Sequence, residues 1–515
     1  MNHWLPSSYL HRALWATAGL SLLLRLFIGA TFPITGDEAF FYWWGVFPDW
    51  GYYDHPPMVG WLIAAMLHTL GDTTLSIRLP VILLPLIQGL VLWWGLSAWD
   101  RERAPWAALF FWLAPLNWIN TLITTDTPLM LWSMLSMACL MQAEARPRLD
   151  ARAYVLYALS GLFIGFAFLS KYFSVVLGLS YLVYFAVLRR DRWPCLVVLV
   201  LAALLGPAIN IAWNMAHGWP NIMFNVYNRN QGEVFGWHKP ALYLATWAYL
   251  LTPGVLWLGW KHRQVLGQTL YERRLLACLV GVPCAFFALL SLKKVIGLHW
   301  VLSFYPVMFA AVALALPAEG LRRCARYLMV FLGLHLLVVG ALYTRELSDW
   351  KNVKIYPEIV RSYRTNALLA PVLAPDTVLM ATAYTPASIY GHTLKQYVPV
   401  FGLGKFHARQ DDLLVDFSQF DGKTVRIIGF SAPNLNDYAP YFDQVAGLEF
   451  ELEGVRYYAV EGQGFKFEAY RTGVLGDIFR RYYNIPSWLP MSGCPFCERY
   501  CGHVRCEPAP PGGSR

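Results

Sequence analysis

Apolar runs about as long as a membrane-crossing helix recur along this chain, beginning with HRALWATAGLSLLLRLFIGATF at 11–32. A helix rises 1.5 Å per residue, so about 20 apolar residues cross the ~30 Å hydrocarbon layer. Eleven such spans are predicted: 11–32, 79–98, 105–123, 127–143, 153–170, 172–188, 195–213, 241–260, 275–292, 300–317 and 327–343. No ten-residue alternating pattern accompanies them, so helices rather than a barrel satisfy the backbone in lipid. MVGWLIAAMLHTL (58–70) is too short to cross and is read as a helix lying at the interface. Composition agrees: 57% of the 515 residues are hydrophobic and 14% charged, against about 25% charged in soluble domains. Mean hydropathy is +0.40.

The loops between the runs divide into two sets. Arg101 and Arg103, then Arg146, Arg148 and Arg152, then Arg189, Arg190 and Arg192, then Lys261, Arg263, Arg273 and Arg274, then Arg322, Arg323 and Arg326 all fall in short loops of one set. Short basic loops face the cytoplasm. The other set comprises the acidic first loop (33–78), ITTDTP, the polar stretch after Trp213, LKKVIGLH, and everything from about 344. These are expected on the periplasmic side of a cell inner membrane. The net charge of +9 is spread over loops rather than gathered in a patch, which argues for topology and lipid contact and against nucleic acid.

The fold expected is an all-α polytopic membrane bundle over 1–343 and a small C-terminal α/β domain over 344–490, followed by a Cys-rich tail over 491–515. KTVRIIGFS, LEFELEG and VRYYAVEG alternate and are rich in β-branched and aromatic residues, as strands are. The tail holds Cys494, Cys497, Cys501 and Cys506. In an oxidising compartment they read as disulfides, with a zinc knuckle as the alternative.

Ionisable residues gather at the outer ends of the helices. Asp37, Glu38, Asp54 and His55 sit on the first outer loop, Asp126 at the next outer junction, and Arg25, Lys171, Arg229, Lys293 and Lys294 near the same face. Charges at such positions are costly and default to functional candidates. Carboxylates ringed by cations can deprotonate a nucleophile while holding a phosphate leaving group. Each residue also has a structural reading. Asp37-Glu38 can cap the helix EAFFYWWGVF, and Asp126 can cap its own. Asp54-His55-Pro56-Pro57 can be a rigid turn. Lys171 can snorkel, Lys293-Lys294 can meet lipid headgroups, and Arg25 can pair with a carboxylate. The tryptophans and tyrosines of 42–53 are read as an interfacial belt, with sugar stacking as the alternative.

GDEAFFYWWG, GYYDHPPMVGWL and IRLP, followed by TTDTPLML, LSKYFSVVLGLSYLVYF, WNMAHGWPNIMFN and RRYYNIPSWLP, resemble glycosyltransferase family 39-like membrane enzymes. These are the bacterial relatives of protein O-mannosyltransferases and of the lipid A aminoarabinose transferase. The resemblance covers most of the chain. It implies a GT-C fold with interfacial helices in the first outer loop and a periplasmic C-terminal domain. It also implies inverting transfer of a sugar from a polyprenyl-phosphate donor to a lipid, glycan or protein acceptor. By that match Asp37 carries the essential carboxylate, with Glu38 or Asp126 assisting. Where aminoarabinose enzymes have Glu-Lys-Pro-Pro, this chain has Asp54, His55, Pro56 and Pro57. Phosphate binding is therefore assigned to His55, Lys171, Arg229, Lys293 and Lys294, and the substrate pocket to Tyr53, Asp54, Arg78 and His299. A divalent metal held by His55 and Glu38 is the alternative use of those side chains, and no other cofactor is called for. A transporter or flippase for a lipid-linked glycan is the competing function. It would place ionisable residues at mid-membrane and show paired repeats, and neither pattern is present in the sequence.

Overall fold

A computed structural model describes residues 7–228, 234–404 and 410–501. The chain folds as two compact units. One comprises residues through Phe32, Ala65–Ile209 and Gly232–Thr344; the other comprises Pro33–Ala64, Asn210–Gln231 and the chain from Arg345 onward. The units thus cut the chain differently from the continuous division into 1–343, 344–490 and 491–515. The first outer loop and the segment after Ile209 fold with the C-terminal residues.

The first unit is a helical bundle. Among the described residues six helices are long and apolar enough to cross a membrane: Leu10–Thr31, Thr74–Ser97, Ala151–Phe168, Arg190–His217, Arg274–Ser291 and Ala318–Tyr343. His238–Leu251 and Pro253–Lys261 make a seventh if counted together, bent by 90° at Thr252. Four spans expected from the sequence are not matched by any of these seven. Three of those, 105–123, 172–188 and 300–317, correspond to shorter apolar helices, Ala104–Leu113, Ser174–Leu188 and Tyr305–Ala315. The fourth falls on the helix Asp126–Glu144. Ala104–Leu113 is buried at all ten positions, as a helix apolar on every side must be. At 1.5 Å per residue it is about 15 Å long, half the hydrocarbon thickness.

Two local devices hold the bundle. Gly161 and Gly165 form a small-xxx-small pair on Ala151–Phe168. A Cβ at Gly161 would lie 2.0 Å from the Leu199 carbonyl oxygen, and one at Gly206 would lie 2.2 Å from that of Gly165. The two backbones therefore touch where only glycine fits. The second device is arginine at helix breaks. Pro85 lies inside Thr74–Ser97 and lacks the N–H that would bond the Val81 carbonyl. Arg25, 1% exposed, donates to that carbonyl and to Ile82 O at 3.0 Å and Asn117 O at 2.9 Å. The carboxylate partner expected for Arg25 is replaced by these backbone oxygens. Arg78 likewise caps the end of the first helix, donating to Gly29 O at 3.0 Å and Phe32 O at 2.7 Å. Arg103 does the same beyond Tyr305–Ala315, reaching Leu316 O at 2.9 Å. Helix C-termini carry unpaired carbonyls and partial negative charge, which cations offset.

The second unit contains a four-stranded sheet of order β1-β2-β4-β3. Its strands are β1 (Thr377–Ala381), β2 (Thr424–Gly429), β3 (Gln444–Leu452) and β4 (Val455–Gln463). β1 and β2 are parallel, and the other pairs are antiparallel. Glu453 and Gly454 close the β3–β4 hairpin with φ of 54° and 75°, the positive values that a two-residue hairpin turn demands. The three quoted strand segments become β2, β3 and β4. In the same unit the helix Gly36–Val46 packs on the helix Tyr384–Leu394. Tyr42, Trp43, Trp44, Tyr52 and Tyr53 are buried there, and Trp50 is exposed. The aromatic run is thus mainly interior packing rather than the belt expected.

Cys494 and Cys497 form a disulfide, and Cys501 is also disulfide-bonded. Cys506 lies outside the described residues.

Candidate active site

In the second unit the adjacent acids of the first outer loop part company. Glu38 is the third residue of the helix Gly36–Val46 and is fully buried. Its Oε2 accepts from Thr35 N at 3.1 Å and from Thr35 Oγ1 at 3.0 Å, the reciprocal half of a capping box. Asp37, one residue earlier, is exposed. The helical twist of about 100° per residue turns neighbouring side chains to different faces, so one carboxylate serves the helix and the other faces outward. A Cβ on Gly36 would lie 1.8 Å from Thr385 Cγ2, so a glycine is needed for the close approach of these two helices.

The turn Tyr52–His55 is set from behind by asparagines. Asn221 Nδ2 donates to the carbonyls of Tyr52, Tyr53 and His55, the last two at 3.2 and 3.4 Å. Asn210 and Asn214 aim it by donating to its Oδ1 at 3.0 and 3.2 Å. Asn225 Nδ2 donates to Asp54 O at 2.8 Å. Tyr53 N donates to Gln410 at 3.0 Å. Within this frame Asp54 Oδ2 lies 3.0 Å from His55 Nδ1, with side-chain exposures of 9% and 15%. Both His55 Nδ1 and Asp54 Oδ1 lack a hydrogen-bond partner among the described residues. The two groups are thus in close contact with no hydrogen bond joining them. No group of three or more His, Cys, Asp or Glu side chains is gathered for a metal among the described residues.

In the first unit Asp126 opens the helix Asp126–Glu144. Lys171 lies in the turn between Ala151–Phe168 and Ser174–Val183. Its ammonium reaches both carboxylate oxygens of Asp126 at 2.8 Å, with side-chain exposures of 12% and 7%. This buried bidentate pair joins residues that the sequence reading put in separate roles, one catalytic and one for phosphate. Two of the three ammonium N–H groups are spent on Asp126, leaving one for another acceptor. Lys293 and His299 are exposed and Lys294 is half-buried. Arg78, assigned to the pocket, is fully buried on helix-end carbonyls. Arg229 lies outside the described residues. Sequence reasoning missed Lys239, which is 8% exposed and donates to Val234 O at 2.8 Å and Lys293 O at 2.6 Å. Its place just before the proline of HKPALYL was the available signal.

Residues 54–213 match the family model of dolichyl-phosphate-mannose-protein mannosyltransferase. The undecaprenyl phosphate-alpha-4-amino-4-deoxy-L-arabinose arabinosyl transferase of Aeromonas salmonicida is 27% identical over 300 residues, 53% of this chain and 53% of its own length. The lipid A galacturonosyltransferase RgtD of Rhizobium johnstonii is 28% identical over 187 residues, 35% of this chain and 38% of its own. The chain thus spans about half the length or less of these curated relatives. ArnT from Cupriavidus metallidurans bound to undecaprenyl phosphate superposes with a TM-score of 0.63, covering 86% of this chain and 97% of that one at 13% identity. The apo state gives 0.60 at 14% identity with the same coverage. The chain has an ArnT-like GT-C fold. The resemblance read in the sequence is met by the family model, by the curated relatives and by this fold. The protein is a multi-pass membrane protein.

Proposed function

We propose that this chain is a membrane glycosyltransferase that takes a hexose or pentose from a polyprenyl-phosphate donor and passes it, with inversion, to a lipid A, cell-envelope glycan or protein acceptor. It would act at the periplasmic face of the inner membrane, with eleven spans, the five basic loops in the cytoplasm and the C-terminal domain outside. The observation that carries this reading is the division of labour at the first outer loop: Glu38 is committed to the helix cap while Asp37 is exposed. In that reading Asp37 takes the proton of the acceptor hydroxyl as its oxygen bonds to the anomeric carbon. The bond from that carbon to the phosphate oxygen breaks, and polyprenyl phosphate leaves with the electron pair. The charge developing on the phosphate falls to cations drawn from Lys171, Arg229, Lys293 and Lys294, with His55 where the related enzymes have lysine. The turn of Tyr53 and Asp54 would meet substrate.

Purified protein carrying Asp37→Asn is expected to retain donor binding and lose transfer by about 100-fold or more, the scale of a lost general base. Mass spectrometry of the glycosylated product, with radiolabelled donor for binding, measures both. Turnover near that of the unaltered enzyme would remove Asp37 from the mechanism.

A further inference from the structure

Arg361 stands apart from every residue discussed so far. It lies on the helix Tyr356–Tyr363 of the C-terminal domain and is 5% exposed. Its guanidinium sits over the ring of Phe430, 4.7 Å from the centroid. Tyr390 and Tyr457, both fully buried, are its electrostatic neighbours together with Glu358. Glu358 is exposed, and no carboxylate among the described residues comes within ion-pair distance of Arg361. Nε is closed off from solvent and makes no hydrogen bond, and no guanidinium hydrogen bond is found among the described residues. Nη1 and Nη2 are not closed off in that way. Burial lowers the basicity of the group.

Among the described residues the other buried arginines are hydrogen-bonded: Arg25 and Arg78 to helix-end carbonyls, and Arg192 to carbonyls and the Tyr157 hydroxyl. A buried cation with only an aromatic face beside it has part of its lost hydration unreplaced, because a ring offers no acceptor for five N–H donors. The location supplies a reason. Phe430 is the residue immediately after β2, at its carboxyl end. β1 ends beside it, with Thr382 N donating to Ile428 O at 3.2 Å, and a Cβ on Gly429 would lie 3.3 Å from Thr382 Cγ2. Ligands of α/β sheets bind outside the carboxyl ends of parallel strands. The loop that follows, from Phe430 to Ala432, is exposed. A guanidinium fork matches the paired oxygens of a phosphate, and Nη1 and Nη2 are not sealed as Nε is.

We propose that Arg361, backed by Phe430 at the carboxyl edge of β1 and β2, is a binding site for a phosphate group. The phosphate is either free in solution or carried by an anionic lipid headgroup. Phosphate binding at Arg361 does not rest on the transfer chemistry, and the proposal holds or fails independently of it.

The test uses the full chain in nanodiscs. Inorganic phosphate is titrated at constant ionic strength into protein in phosphatidylcholine discs, and thermal unfolding is followed. A parallel series replaces part of the phosphatidylcholine with phosphatidate. Arg361→Gln removes the charge, and Arg361→Lys keeps the charge without the planar fork, so a folded comparison exists if the first variant unfolds. Phosphate-dependent stabilisation of the wild type, weakened at least about tenfold in apparent affinity by Arg361→Lys, supports a site for free phosphate. Stabilisation by phosphatidate alone, lost in the variants, supports the site with a lipid as source. Equal stabilisation in wild type and variants, or none by either probe, overturns the proposal and leaves Arg361 as a packing group on Phe430.

Discussion

Replacing Lys171 with methionine tests whether the Asp126–Lys171 contact holds the first unit together. The pair is bidentate at 2.8 Å, with 12% and 7% side-chain exposure, so neither charge has water to fall back on. Removing one partner of a buried pair leaves the other charge uncompensated, at a cost of about 3–5 kcal/mol. Lys171→Met and Asp126→Leu should each destabilise by about that amount. The double variant removes both charges and both hydrogen bonds together, so it should cost about 2 kcal/mol or more less than the sum of the singles. Denaturant unfolding of the detergent-solubilised protein, followed by tryptophan fluorescence, gives all four corners of the cycle. Single-variant losses below about 1 kcal/mol would be the behaviour of a solvated ion pair. Additivity within about 0.5 kcal/mol would mean that the two side chains do not interact energetically. Either result refutes the reasoning. Transfer activity measured on the folded double variant then reports function apart from stability.

Asn221→Ala should cost about 1–3 kcal/mol, because the carbonyls of Tyr52, Tyr53 and His55 lose a shared buried donor; hydrogen exchange should accelerate at 52–55 and not at β2–β4. Gly161→Val should disrupt packing of Ala151–Phe168 on the Leu199 backbone by about 1–3 kcal/mol or more, read as a lowered midpoint of unfolding in detergent, whereas Gly281, with nothing within 4 Å of a Cβ, should accept alanine with little change. Arg426 donates to Glu461 at 2.7 Å and holds that carboxyl below its ordinary range. A depressed carboxyl contributes stability that is full above the unfolded Glu value, about pH 4.3, and is lost as pH falls through the folded value. The stability difference between wild type and Arg426→Met should therefore shrink on acidification below about pH 4; a difference that grows would contradict the pairing.

Much of this protein was legible from residue order. Apolar runs mark helices because lipid leaves the backbone no partner except itself. Alternation marked β2, β3 and β4 because strand side chains change face at every residue. The two acids at 37 and 38 announced a helix start because carboxylates satisfy the N–H groups there. The Thr35-x-x-Glu38 spacing is a capping-box signature that could have said which acid is committed to the cap, and the sequence reading did not use it. For 105–123 and 300–317 composition reports apolarity and not whether neighbours or lipid supply the apolar surroundings.

The remaining features depend on the folded chain. Lys171 meets Asp126 across 45 positions, Asn221 holds carbonyls more than 160 positions away, and Arg25 serves a carbonyl that Pro85 releases on another helix. Nothing in local periodicity encodes such partners. Propensity and hydropathy act over a few residues, whereas a buried charge finds its acceptor through whatever the closed chain brings to it. Chemical type along the chain was therefore readable in advance, and the pairing of charges waited on the fold.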